Sequence, residues 1–390
     1  MNKKKAFLVA NWDWGLYLLR FALGKALRHA GYEVTFVCPH GPHVARMEEA
    51  GFRWINWPMA RRSMNPLKEV QALKSLADIY KREQPDIVHH STIKANLYGA
   101  LAARMNKKRA DIKVINTFMG LGYVFSEHWK ATLVRTMIMP LLRFAFDQKN
   151  VFTVFSNQGD MDRFVSLNIV APEKADVMLS EYVDINKFSP PTSNGDVRSF
   201  RVLMAARLLW DKGVQEFVDA SRALQINNKP VEFWLAGTPD KDNPEWIPEE
   251  KLKGWEDENL INWLGHCSDM PGLLQQVDVA TLPTHYNEGC PRFLVESASA
   301  GLPLIATDIP ACRRIVRDGV NGMIIPKRDP SSLAEAIGKL AADESLRRQM
   351  SKASRQIAIE EFDEKQILNQ WLNLYGTLLQ GTPIPVPQES

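Results

Sequence analysis

A chain of 390 residues, 45% hydrophobic and 24% charged, can bury a sizeable core and exceeds the usual size of one domain, which argues for two ordered domains and against a disordered or fibrous protein. Its four cysteines, Cys38, Cys267, Cys290 and Cys312, are scattered without CxxC spacing, which argues against a disulfide framework and a zinc site and fits a reducing, cytoplasmic setting. The net charge of +3 conceals an asymmetry: residues 1–190 hold 27 Lys/Arg against 17 Asp/Glu (+10), residues 191–390 hold 21 against 28 (−7), so the first half suits an anionic partner, with plain solubility as the alternative.

In chain order, the basic start Met1–Lys5 leads into the apolar run Ala6–Ala10, too short for a signal peptide or a membrane span and closed by Asn11 and Asp13. It reads as a first buried strand. Tyr17–Ala30 has apolar residues at helical spacing and stops at Gly31, and Glu33–Cys38 is again a strand. Further strands are expected at Ile87–His89, Val114–Thr117 and Val151–Phe155, with helices over Leu67–Arg82, Leu97–Met105 and Lys130–Asp147. The prolines and small polar residues of Phe188–Asp196 mark a linker. The alternation then restarts: strands Arg201–Ala205, Val231–Ala236, Ile261–Leu264, Val277–Leu282, Leu304–Ala306 and Gly322–Ile325, with helices Gly213–Leu224, Met270–Gln276, Arg292–Ala300, Ser331–Ala342 and Leu346–Glu360. Strands alternating with helices dictate parallel sheets covered on both faces. The expected fold is therefore α/β, with two Rossmann-like, doubly wound domains over 1–190 and 196–363 facing a central cleft, and a last helix over about 364–380 packing back on the first.

Chemistry concentrates in the second half. Arg207 and Lys212 stand in Ala205-Ala-Arg-Leu-Leu-Trp-Asp-Lys-Gly213, the loop after the strand Arg201–Ala205, where two cations can grip a diphosphate or merely face solvent. Pro283-Thr-His-Tyr-Asn-Glu-Gly-Cys-Pro-Arg-Phe-Leu-Val-Glu296 follows the strand Val277–Leu282. Pro291 suits a first helical position, which puts the amides around Gly289–Phe293, Cys290 included, at a helix N-terminus that attracts anions. Gly289 lets a ligand approach the backbone. Glu288 precedes the helix and Glu296 falls in its second turn, so one can reach a sugar while the other accepts ribose hydroxyls. The D-x-D matches Asp160-Met-Asp162 and Asp240-Lys-Asp242 sit in helix-start and turn contexts where Asp caps the backbone, so no metal site is expected. No G-x-G-x-x-G follows an expected strand, which argues against an NAD-dependent dehydrogenase.

Together, Ala206-Arg207-Leu208, Lys212-Gly213, Glu288-Gly289 through Glu296, Ala300-Gly301-Leu-Pro303 and Asp318-Gly319-Val320-Asn321-Gly322 resemble the donor half of the family-4 glycosyltransferases, which have the GT-B fold. The likeness extends through Ala60-Arg61-Arg62-Ser63-Met64-Asn65-Pro66, Ile93-Lys94-Ala95-Asn96 and Met119-Gly120-Leu121-Gly122 to nearly the whole chain, and is similar to bacterial enzymes that add a hexose or N-acetylhexosamine to an undecaprenyl-diphosphate-linked sugar. The resemblance implies a retaining hexosyltransferase of cell-surface polysaccharide or glycan biosynthesis, using a UDP-sugar. It implies that Arg207 and Lys212 hold the donor diphosphate, Glu288 the donor sugar and Glu296 the ribose, and that Leu264-Gly265-His266 borders a uracil base. No metal cofactor is implied, because cations and helix amides supply the electrostatics. A nucleotide-sugar 2-epimerase is the alternative within a similar architecture.

On the acceptor side, His90 or its neighbour His89, at the end of a strand, is a candidate to face the reacting sugars, with a core histidine as the other reading. Lys94 and Asn96 fit an acceptor diphosphate, and the loops of Gly15, of Arg61 and Arg62, and of Gly120 and Gly122 complete the expected acceptor set. Basic residues flanking apolar helical positions in the first domain suit the inner face of a cell membrane, where a lipid-linked acceptor resides; ordinary core-facing helices explain the same stripes. No nucleic acid partner is expected.

Overall fold

The computed structural model describes residues 3–60, 63, 65–106, 111–120, 129–179, 182–191, 199–226, 231–241, 243–286 and 288–380. The chain forms two compact units, residues 1–180 with 366–390, and residues 181–365.

The first unit runs β1 (Lys5–Ala10), α1 (Asp13–His29), β2 (Glu33–Cys38), α2 (Val44–Glu49), β3 (Arg53–Asn56), α3 (Pro66–Glu83), β4 (Ile87–Ser91), α4 (Ile93–Asn106), β5 (Lys113–Phe118), α5 (Trp129–Phe146), β6 (Val151–Phe155), α6 (Gln158–Ser166) and β7 (Ala175–Val177). All strands pair in parallel in the order β3-β2-β1-β4-β5-β6-β7. The central strands are buried because helices cover both faces; every residue of β4 and β6 is enclosed, the polar His89, His90 and Ser91 included. Helix α1 lays Leu16, Leu23 and Leu27 onto the sheet, and Gly24 lets it approach so closely that a Cβ there would stand 2.7 Å from the Phe36 ring. Asn65 caps α3 by accepting the Leu67 amide at 3.0 Å, with Pro66 opening the helix.

The second unit runs β8 (Phe200–Ala205), α7 (Val214–Ile226), β9 (Val231–Ala236), α8 (Glu249–Asp257), β10 (Asn262–Gly265), α9 (Met270–Leu274), β11 (Val279–Leu282), α10 (Arg292–Ser299), β12 (Leu304–Thr307), α11 (Pro310–Arg313), β13 (Gly322–Ile325), α12 (Pro330–Ala342) and α13 (Glu344–Glu361). Its parallel sheet has the order β10-β9-β8-β11-β12-β13. In each sheet the direction of winding reverses beside the first strand, between β1 and β4 and between β8 and β11. Ligands of open α/β sheets bind outside the carboxyl ends of the strands at that reversal.

The last helix, α14 (Glu364–Gln380), belongs from Gln366 onward to the first unit. Its Trp371 and Tyr375 are fully buried there, with Trp371 Nε1 donating to Leu179 O at 3.2 Å. The division between units falls earlier than the prolines of 188–196 suggest. Val183 donates to Phe362 O at 2.9 Å, and Phe188 O accepts Ser299 Oγ at 2.7 Å, so the stretch before the prolines is already fastened to the second unit. Edge strands β3 and β7, absent from the expected strands, are short, and neither contains a fully buried residue.

Candidate active site

At the reversal in the second unit, two loops meet. After β8 the chain makes a short 3-10 turn, Trp210–Lys212, and enters α7 through Gly213, whose φ of 83° is left-handed. A Cβ on Gly213 would lie 2.1 Å from Pro283 O, so a side chain would keep this turn from closing on the loop that follows β11. The backbone completes the contact: the His285 and Tyr286 amides both donate to Asp211 O at 2.9 Å.

This closure brings Lys212 to Glu288. Lys212 Nζ donates to Glu288 Oε1 in an ion pair whose side chains keep only 10% and 12% of their exposure. Thr284 Oγ1 lies 3.3 Å from the same carboxylate oxygen, and the Lys212 ammonium stands 4.7 Å over the Tyr286 ring. Thr307, at the end of β12, donates its hydroxyl to Thr284 O and braces the loop from beneath. The thiol of Cys312, in α11, is pushed up to about 12 by burial and by the Glu288 carboxylate, so it stays neutral. All four cysteines are free.

Arg207 shares the loop with Lys212 but is half exposed and turns to Asp240, in the loop after β9, at 2.9 Å. The structure thus joins Lys212, and not Arg207, to the Glu288 turn. Pro291 takes the capping position of α10 in extended conformation and not the first helical position expected for it, and its own side chain makes no capping hydrogen bond. Gly289 and Cys290 precede it, half-buried. Glu296 is held at Oε1 by Arg292 at 2.7 Å, one turn back on α10. Gly265 ends β10 with φ 62°, its carbonyl taking the Gly237 amide at 2.7 Å, and His266 next to it is exposed.

The histidines at the end of β4 stand differently from expectation. His90 is fully enclosed, bonded to Tyr80 OH at 2.7 Å and to Asn116 Oδ1 at 2.8 Å, and a Cβ on Gly99 of α4 would come within 2.0 Å of its Nε2. His89, on the opposite sheet face, bonds Tyr375 OH at 2.9 Å and Thr117 Oγ1 at 2.6 Å. Burial depresses both imidazoles, His90 to about 4. The expectation that His90 faces a substrate is therefore corrected: helices cover both faces of β4, so each of its side chains ends in the core.

Helix α4 begins at Ile93, four residues before its expected start, and this accounts for Lys94 and Asn96. Asn96 is fully buried and donates to Thr117 O at 2.9 Å, so it fastens α4 to the sheet and does not face an acceptor diphosphate. Lys94 is paired with Glu69 at 3.0 Å and also donates to Ser63 O. Gly15 is buried in the first turn of α1, and Gly120, after β5, has φ 97°. Arg61, Arg62 and Gly122 lie outside the described residues.

Several further side chains around these loops carry little signal in the sequence. Asp240, the partner of Arg207, stands out in the sequence only as part of a D-x-D match. His285 lies 3.7 Å from Asp211 and 3.6 Å from Glu216, bridging the two loops that carry Glu288 and Lys212; only its place within the Pro283–Glu296 segment marked it. Asp160 lies in the first turn of α6 and bonds the capping Asn157, and among the described residues no three His, Cys, Asp or Glu gather as metal ligands.

Two family models match the chain, one within each unit. Residues 199–343 match the family described as glycosyl transferases group 1, and residues 5–158 match the glycosyl transferase 4-like family. The chain is 27% identical over 94% of its length to the N,N'-diacetylbacillosaminyl-diphospho-undecaprenol α-1,3-N-acetylgalactosaminyltransferase of Campylobacter jejuni, 96% of which is covered. It is 26% identical, over 90% of both chains, to the Escherichia coli UDP-Gal:α-D-GlcNAc-diphosphoundecaprenol α-1,3-galactosyltransferase. The solved structure of a glycosyltransferase from Rickettsia africae superimposes with a TM-score of 0.81 at 18% identity, covering 98% of this chain and all of that one.

Proposed function

Because the chain belongs to the group 1, GT4-like glycosyltransferases of GT-B fold, we propose that it transfers a hexose or N-acetylhexosamine from a UDP-sugar to a polyprenyl-diphosphate-linked sugar, with retention of anomeric configuration, in the synthesis of a cell-surface glycan. The observation that carries this reading is the meeting of Lys212 and Glu288 at the reversal of the second sheet, in the loop that leads into the N-terminus of α10. The two named relatives act on undecaprenyl-diphosphate-linked sugars, and one takes UDP-galactose. No epimerase stands among these relatives, and that alternative is not carried further.

In this reading Lys212, Arg207 and the amides from Gly289 to Phe293 hold the donor diphosphate and neutralise the leaving nucleotide without a metal. Glu296 takes the ribose, Gly265 and His266 border the uracil, and Glu288 orients the sugar. The bond from the anomeric carbon to the β-phosphate oxygen breaks while the acceptor oxygen bonds on the same face, and the acceptor proton passes to the departing phosphate. Glu288 is held by Lys212 and Thr284, which suits a hydrogen-bonding role and not that of a nucleophile. Trapping of a glycosyl group on Glu288 overturns the same-face step.

The acceptor's lipid places the reaction at the inner face of a membrane. Among the described residues no helix is long and apolar enough to cross one. On α3, Leu67 and Val70 are exposed beside Lys68 and Lys74, and on α5, Leu141 and Phe144 flank Arg143, a composition that suits peripheral contact with anionic lipid. Incubation with UDP-hexoses and a prenyl-diphosphate-linked N-acetylhexosamine tests the function: an α-linked product from an α-linked donor supports it, and isomerised donor without acceptor contradicts it.

A further inference from the structure

In the first unit, the start of α1 adjoins the loop after β2. Asp13, at the start of α1, is only 5% exposed. Its Oδ2 accepts the His43 amide at 2.9 Å and lies 3.2 Å from His43 Nδ1. A Cβ on Gly41 would stand 2.3 Å from the Asp13 carboxyl carbon, so this loop is shaped around the carboxylate. Capping of α2 explains the bond to the His43 amide, but it does not require the imidazole.

The imidazole is arranged for a ligand. A carboxylate at Nδ1 keeps the proton there and leaves a lone pair on Nε2. Among the described residues no hydrogen bond reaches Nε2, and the side chain keeps 24% of its exposure. The ring is steadied 5.4 Å from that of Tyr17, over which Arg46 also lies. Nearby in sequence, Trp12 and Trp14 pair at 4.6 Å, and Trp14 is 39% exposed, an aromatic surface of the kind that meets the apolar face of a pyranose. The reversal between β1 and β4, where a ligand of this sheet belongs, is beside them.

We propose that His43, oriented by Asp13, binds a hydroxyl of the acceptor sugar through Nε2, with the Trp12 and Trp14 rings as its stacking surface. This rests on the transferase reading above and gives its acceptor side a named contact in place of His90.

The experiment compares His43→Asn and His43→Gln in the full chain, using UDP-hexose donors and a farnesyl-diphosphate-linked N-acetylhexosamine as acceptor probe. Asn keeps an amide where Nδ1 meets Asp13 but has nothing at Nε2; Gln reaches the Nε2 position. Asn raises the acceptor KM about tenfold or more, Gln restores it to within roughly threefold of wild type, and the donor KM and the thermal shift produced by UDP stay unchanged in both. Full rescue by Asn means that His43 only fastens the loop, and overturns the proposal. Should wild type bind UDP yet transfer nothing to the probe, the transferase reading fails on its own, and the His43 imidazole resonance decides this one. A shift of its Nε2 signal on adding the probe supports the contact; an unmoved signal overturns it.

Discussion

Lys212 and Glu288, 76 residues apart in sequence, form an ion pair in which both side chains are almost wholly withdrawn from solvent. Removing one member leaves the other's charge desolvated without compensation, whereas removing both leaves none. Lys212→Met and Glu288→Gln should each cost about 3 kcal/mol of stability, the low end for a buried pair, and the double variant less than the sum of the two. Urea unfolding of the four proteins measures the cycle; strict additivity contradicts the pairing.

Arg207 offers the contrasting case. Its half-exposed pair with Asp240 is worth less than about 1 kcal/mol, so Arg207→Ala should leave the melting temperature nearly unchanged. If Arg207 releases Asp240 to hold a diphosphate, the same substitution raises the donor KM at least about tenfold. An unchanged donor KM assigns Arg207 to the surface alone.

The Gly213 turn is tested by Gly213→Ala. The added methyl meets Pro283 O and a left-handed φ together, and should destabilise by about 2 kcal/mol or more while loosening the Lys212 loop. A variant as stable as wild type, measured by thermal unfolding, contradicts the close approach.

His90 predicts a pH dependence. Its imidazole titrates near 4 in the folded chain against an ordinary value of 6.5, so the unfolded chain takes up the proton first. The stability due to the neutral ring is fully present above about pH 6.5 and is lost as pH falls through about 4. His89, depressed in the same sense, steepens the decline. His90→Asn should begin less stable but decline more gently over that window. An equal slope contradicts the assignment of a buried, neutral ring.

What the sequence could reveal followed from how the physics is encoded. Continuous apolar strands such as Val151–Phe155 and the helical spacing of Tyr17–Ala30 carry local periodicity, so the double winding of both halves was legible, as were the loops after β8 and β11 that bear Lys212 and Glu288. The fastening of 182–191 to the second unit rests on contacts with residues far along the chain, such as Phe188 with Ser299, and no composition break announces it. The depth of His90 depends on α4 closing over β4 at Gly99, again a matter of tertiary packing. Asp13, which opens α1, and His43, in the loop after β2, stand 30 residues apart, each an ordinary residue for its place, and only the fold joins them.

The central claim is that the Lys212 and Glu288 loops clasp a nucleoside diphosphate. Titration calorimetry of UDP into wild type and Lys212→Ala tests it most directly. The account predicts saturable binding to wild type and a loss of about tenfold or more in the variant, the expected cost of one charged contact to phosphate. Binding that is absent from wild type, or equally tight in Lys212→Ala, contradicts it.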